Sequence, residues 1–241
     1  MLKKYKILLI ILLLAIISSA GYWLYNKAKN NNGLEQTAFS TGFIMLDDEK
    51  NLAWSEMVNL SAEARTQFEN KISGIKADLA VAKDKDQRLA DYNNLAIYEK
   101  YLGNYRESYG AYLQSLKLES QARVAWQNFA DVLLKMKAYE SAAMAYQKAI
   151  DLNKYIPESY VKLADYYKAR GNGEKAEATY KLALDTIKDS TESDTLVLGA
   201  YADWLIDNKR YDEAIKILRQ LEAKQPDNKA AIERKIQGLR K

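Results

Sequence analysis

Three segments of the chain align without gaps at a spacing of 34 residues, starting at Leu89, Arg123 and Pro157; a fourth starts at Thr195, offset by 38. Position 4 of these copies holds Tyr92, Trp126, Tyr160 and Leu198, and position 7 holds Leu95, Phe129, Leu163 and Tyr201. Position 8 is alanine in all four (Ala96, Ala130, Ala164, Ala202). Position 17 holds Tyr105, Tyr139, Gly173 and Tyr211; position 20 holds Ser108, Ala142, Ala176 and Ala214. Position 24 holds Tyr112, Tyr146, Tyr180 and Leu218, and position 27 holds Ser115, Ala149, Ala183 and Leu221. A period of this length belongs to chains that fold by stacking one supersecondary unit on the next, so it constrains the fold more than any other feature.

Positions 4, 7 and 11 recur at i, i+3 and i+7, and positions 17, 20, 24 and 27 do the same, so each copy reads as two amphipathic helices. The small residues at 8, 20 and 27 let the backbones approach, and the aromatics fill the space between. One helix pair cannot bury both stripes alone, so the copies must stack. Gly103 and Gly171 at position 15 mark the turn between the two helices, with Lys137 and Lys209 replacing glycine in the other copies. Pro157 suits a first helical position, where no amide hydrogen is needed.

This pattern resembles the tetratricopeptide repeat (TPR) family, with a large residue at 4, leucine at 7, a small residue at 8, an aromatic at 17, alanine at 20, an aromatic at 24 and alanine at 27. Pro226 falls on position 32 of the last copy, where that family often has proline. The resemblance implies an all-α, right-handed superhelix of helical hairpins with a concave face. Four repeats are expected, at residues 89–122, 123–156, 157–190 and 195–228. Residues 229–241 are expected to cap the last copy, since Ile232, Ile236 and Leu239 recur at i, i+4 and i+7. The polar run from Lys188 to Asp194 reads as a surface loop. Residues 39–85 read as a divergent helical hairpin: Leu46, Ala53, Met57 and Leu60 suggest one helix, and Phe68, Ile72, Ile75, Leu79 and Ala82 a longer second one.

Ahead of the repeats, residues 7–25 hold 19 residues without a charge, beginning ILLIILLLAII. As a helix they span about 28 Å, close to the roughly 30 Å hydrocarbon core of a bilayer. Tyr22, Trp23 and Tyr25 lie where an interfacial aromatic belt would, and lysines at 3, 4 and 6 precede the run. The expectation is an N-terminal transmembrane helix within residues 1–25, N-terminus inside, with residues 26–38 as a tether and the repeats extracytoplasmic at a cytoplasmic (inner) membrane. The alternative is a secreted or surface-bound module recognising peptide or glycan, its leader cut after Ala20, since Ser18 and Ala20 are small residues at the usual positions.

The absence of cysteine and histidine excludes disulfides, thiolate nucleophiles, Ser-His-Asp triads and imidazole metal sites. The formal charge of +4 divides into five lysines within residues 1–29, −5 over 30–223 and +4 over 224–241. It therefore makes no case for nucleic acid, which needs a basic binding surface. GNGEK at 171–175 lacks the spacing of a phosphate loop and falls on a repeat turn. Asp84 and Asp86 suit a helix cap better than a calcium loop. No catalytic residue, metal or cofactor is expected.

In the resembled family the groove is lined by positions 2, 5, 9, 12 and 13 of each first helix. Position 9 carries Ile97, then Asp131, Asp165 and Asp203. With Asn93, Tyr101, Gln127, Lys135 and Lys168, these aspartates form the expected groove, an acidic line suited to basic or amide-rich extended peptides. The carboxylate clamp found in some of these domains is not matched: its positions hold Asn93, Ile97, Asn128, Glu158 and Lys162. The resemblance implies a non-catalytic scaffold or adaptor for a protein or peptide partner, and leaves self-association open. In layout (anchor, tether, repeats) the chain also resembles bacterial inner-membrane TPR proteins associated with translocation, periplasmic chaperones or envelope assembly.

Overall fold

The computed structural model describes residues 43–188 and 194–240. The expected span at 7–25, the tether at 26–38 and most of the loop at 188–194 lie outside the described residues. Among those described there are ten α-helices and no strand. None of these helices is long and apolar enough to cross a membrane. The chain divides into two units, one comprising residues up to Glu49 with Trp54–Ser120, the other comprising Lys50–Ala53 with residues from Gln121 onward.

The first unit contains α1 (Ala62–Val81), α2 (Lys85–Tyr101) and α3 (Tyr105–Leu118). Ser61 caps α1 by accepting from the Ala64 amide at 3.1 Å, and Asp84 caps α2 through the Gln87 amide at 2.9 Å. Side-chain acceptors of this kind satisfy amides that the first helical turn leaves unpaired. Helices α2 and α3 pack around fully buried Ala96, Tyr112, Leu113 and Leu116. Along α1, Phe68, Ile72, Ile75 and Leu79 are shielded, as expected for the second helix of the divergent hairpin, together with Ala64 and Arg65 at its start.

The first helix of that hairpin does not form. Apart from a 3-10 turn at Glu49–Asn51, residues 43–60 have no helix. Residues 54–58 instead lie extended along the α2–α3 turn as a strap. The Glu56 amide donates to the Gly103 carbonyl at 2.9 Å, and the Arg106 amide donates to the Trp54 carbonyl at 3.0 Å. The Trp54 ring lies 4.1 Å from the Arg106 guanidinium and meets the Tyr109 ring edge-on at 5.8 Å. Main-chain partners and a cation–π contact outcompete a helix whose apolar stripe would have little to bury; Met57, counted in that stripe, is 96% exposed.

The second unit contains α4 (Arg123–Lys135), α5 (Tyr139–Leu152), α6 (Pro157–Ala169), α7 (Gly173–Ile187), α8 (Thr195–Asp207), α9 (Tyr211–Lys224) and α10 (Lys229–Leu239). Helices pair as α4/α5, α6/α7 and α8/α9, and α10 packs on α9. The alanines at positions 8, 20 and 27 of these copies are wholly buried, which sets the close helix approach. Trp126, Phe129, Tyr146, Tyr160, Leu163 and Tyr180 fill the remaining volume. Each turn places position 15 in the left-handed region: Lys137 at φ 64°, Gly171 at 70° and Lys209 at 59°. The following amide closes the turn onto a carbonyl five residues back, as in Ala138 to Leu133 at 2.8 Å and Arg210 to Leu205 at 2.9 Å. Lysine therefore adopts the backbone that glycine adopts elsewhere. Helix α10 lays Ile232 and Ile236 on Leu198, Ala202, Leu218 and Leu221, closing the end of the stack.

Candidate functional site

In the second unit the first helices of successive repeats, α4, α6 and α8, lie side by side. Positions 4, 7 and 8 point into the core, so positions 2, 6, 9, 12 and 13 form the outward face. Positions 2 and 9 are seven residues apart, about two turns, and share that face. Val124 at position 2 is 56% exposed and Leu196, its counterpart in α8, is 44% exposed.

The three aspartates at position 9 have different surroundings. Asp131 accepts the Tyr146 hydroxyl at 2.5 Å and faces the Lys162 ammonium at 3.2 Å. Burial, then the charge of Asp131, pushes the Tyr146 phenol far above its ordinary value. Asp165 is exposed and meets the Tyr180 hydroxyl at 3.5 Å. Asp203 is exposed and pairs with Lys235 of α10. One helical turn on, Lys168 pairs with Asp207 at 2.8 Å, a hydrogen bond that raises the lysine's pKa. The expected acidic line is thus a ladder of alternating charge, its lysines reaching across from the neighbouring helix, α6 for Lys162 and Lys168 and α10 for Lys235.

The other expected residues divide. Gln127 accepts from Arg123 and from buried Ser159, both at 3.0 Å, so it joins α4 to α6. Lys135 is exposed and has no ion pair among the described residues. Asn93 and Tyr101 belong to the first unit and have contacts there, Tyr101 remaining 47% exposed. The Asn93 carbonyl accepts the Ser115 hydroxyl at 2.9 Å, and the Tyr101 ring stacks on Phe68 of α1 at 5.5 Å. On the second unit's face, Asp131, Lys135, Asp165, Lys168 and Asp203 stand with half-buried Gln127.

Sequence reasoning missed the partners that neutralise the ladder. One signal was readable: Asp131 to Tyr146 and Asp165 to Tyr180 share a spacing of 15, position 9 to position 24 within a copy. The first copy has Ile97 opposite Tyr112 and the fourth has Leu218 opposite Asp203, so the pairing is confined to the middle copies. The exposed Val124 and Leu196 were also missed: position 2 belongs to the groove positions of the resembled family, but only its polar neighbours were named, an apolar side chain there giving no sign by itself of being exposed. Among the described residues no cluster of three acidic side chains could hold a metal ion.

The tetratricopeptide repeat family model matches residues 124–155 and 157–189, which span α4 to α7. Among solved structures, the chain is similar to a crystal structure of MamA, at 20% identity and TM-score 0.52, over 72% of this chain and 98% of that one. A second crystal structure of the MamA protein is similar at 18% identity and TM-score 0.52, over 70% and 88%. At these identities the likeness concerns the fold: an all-helical stack of the tetratricopeptide type. No curated protein sequence matches the chain.

Proposed function

We propose that the chain is a membrane-held, non-catalytic scaffold that binds an extended peptide or protein segment across α4, α6 and α8. Tetratricopeptide repeats mediate protein–protein interaction, and two copies here match that family. The observation that carries the reading is the composition of this face. It leaves Val124 and Leu196 exposed on the same face as Lys135 and Asp165, while the packing positions of the same helices are buried. Exposed apolar side chains rimmed by charge suit a partner that supplies both apolar and polar contacts. The uncharged run at 7–25 and the lysines before it support a membrane anchor with the repeats outside. Ser18 and Ala20 favour a second reading, a secreted binding module cut after Ala20.

A photo-crosslinking amino acid introduced singly at Val124, Leu196 and, as a control, exposed Leu182 of the second helix α7 tests the face. Adducts with one partner from Val124 and Leu196, and none from Leu182, are expected. Equal adducts from all three, or none from the first two, would remove the assignment.

A further inference from the structure

Around the position-9 aspartates of the second unit, the ladder has a rung missing. Asp131 is met by Lys162, which stands 31 residues later at position 6 of the next first helix. Asp203 is met by Lys235 of α10, 32 residues later. Position 6 of the helix facing Asp165 is Ala200, which has no charge to offer. Asp165 accordingly has no ion pair among the described residues, and its hydrogen bond from Tyr180 is long at 3.5 Å. The two ammonium groups of its own helix, each three residues from it, are turned elsewhere, Lys162 to Asp131 and Lys168 to Asp207. Beside Ala200, Gly199 carries no side chain, and a Cβ there would meet nothing within 4 Å. Leu196 lies one turn back on the same helix and is 44% exposed.

We propose that a partner completes this rung: an extended peptide places a Lys or Arg side chain against Asp165, over Gly199 and Ala200, with an apolar neighbour lying on Leu196. The inference rests on the reading of this face as the partner surface and specifies the partner's chemistry. Two adjacent rungs show that an ammonium sits stably against an aspartate of this register. On α6 and α8, Glu158, Asp165, Asp203 and Asp207 stand against Lys162 and Lys168. Lys162 is matched by Asp131, Lys168 by Asp207 and Asp203 by Lys235, so Asp165 is the aspartate left without a cation and the field there favours one. Charge complementarity of this kind selects the partner and fixes its register more than it sets total affinity. An arginine would add bidentate geometry to the same carboxylate.

The test uses the full chain and two pools of fluorescein-labelled decapeptides, random except for a central Lys in one and a central Leu in the other, read by anisotropy. The Lys pool is expected to bind at least tenfold more tightly, with the difference shrinking as salt is raised. Asp165→Asn is expected to abolish the preference, and so is Ala200→Lys, which supplies the absent lysine from within. Since Asp165 is exposed, Asp165→Asn keeps the test valid should Ala200→Lys disturb folding. Equal binding of the two pools, or a preference that survives Asp165→Asn, would overturn the proposal. If both pools bind equally and both are lost on changing Val124 and Leu196 to Asp, the face remains a partner surface and only its cation rung is refuted. If neither pool binds, both readings fail. Concentration-dependent sedimentation abolished by Asp165→Asn, with no peptide bound, would instead assign the face to a second copy of the chain.

Discussion

Position 15 of each repeat shows how much one side chain matters. Gly103, Lys137, Gly171 and Lys209 all sit at positive φ, between 59° and 80°. A residue with a Cβ loses roughly 1 kcal/mol or more in that region relative to glycine. Lys209→Gly is therefore expected to stabilise the protein by about 0.5–1 kcal/mol, read as a higher urea midpoint. Gly171→Ala is expected to cost about 1 kcal/mol from its φ of 70° alone, since its Cβ would meet nothing within 4 Å. Gly103→Ala is expected to cost more, about 2 kcal/mol or above, because its Cβ would lie 2.0 Å from the Glu56 carbonyl oxygen and the strap must shift. A change in Trp54 fluorescence should accompany Gly103→Ala and be absent in Gly171→Ala. Glu177 makes a second residue-scale case. Arg210 donates to both of its carboxylate oxygens, at 2.7 and 3.0 Å, and Lys181 and Tyr201 add further bonds, holding its carboxyl down at about 2. An unfolded glutamate titrates near 4.3, so this stabilisation is complete above about pH 5 and fades as pH falls toward 2. Glu177→Gln is expected to lose about 1–2 kcal/mol at pH 7 and to flatten the fall in stability between pH 5 and pH 2 in urea titrations.

At the level of helices, legibility followed side-chain periodicity. The helix pairs could be read because Ala130, Ala142, Ala149 and the aromatics between them recur at helical spacing, and all of these alanines prove wholly buried. Helix α10 was readable from Ile232, Ile236 and Leu239 alone. Ile236 is fully buried at the end of the stack, so Ile236→Ala is expected to cost about 2–5 kcal/mol and to lower the thermal midpoint. The strap was not readable, because the main-chain bonds of Glu56 to Gly103 and Arg106 to Trp54 leave no side-chain pattern. Leu46, Ala53, Met57 and Leu60 suggest helical spacing yet bury no stripe: Leu46 is 58% exposed, and Ala53 and Leu60 are only half-buried. The face of α4, α6 and α8 was half readable. Position 9 named its aspartates, but the lysines that answer Asp131 and Asp203 lie 31 and 32 residues away, and only folding shows which rung lacks one.

For the whole molecule, the net charge of +4 is a sum of unlike parts: lysines flanking an apolar run, an acidic body and a basic C-terminal segment. The proposed anchor predicts an intact mass beginning at Met1 and retention in the membrane fraction after alkaline wash; a mass beginning at Gly21 would favour the secreted alternative. The central claim concerns the repeats: partners bind on the first-helix face of the second unit. Methyl NMR of the valine- and leucine-labelled protein, titrated with the peptide segment recovered by crosslinking, tests it most directly. The account predicts saturable shifts of the Val124 and Leu196 methyls with Leu182 unmoved. Saturable shifts at Leu182, with Val124 and Leu196 unchanged, would contradict it.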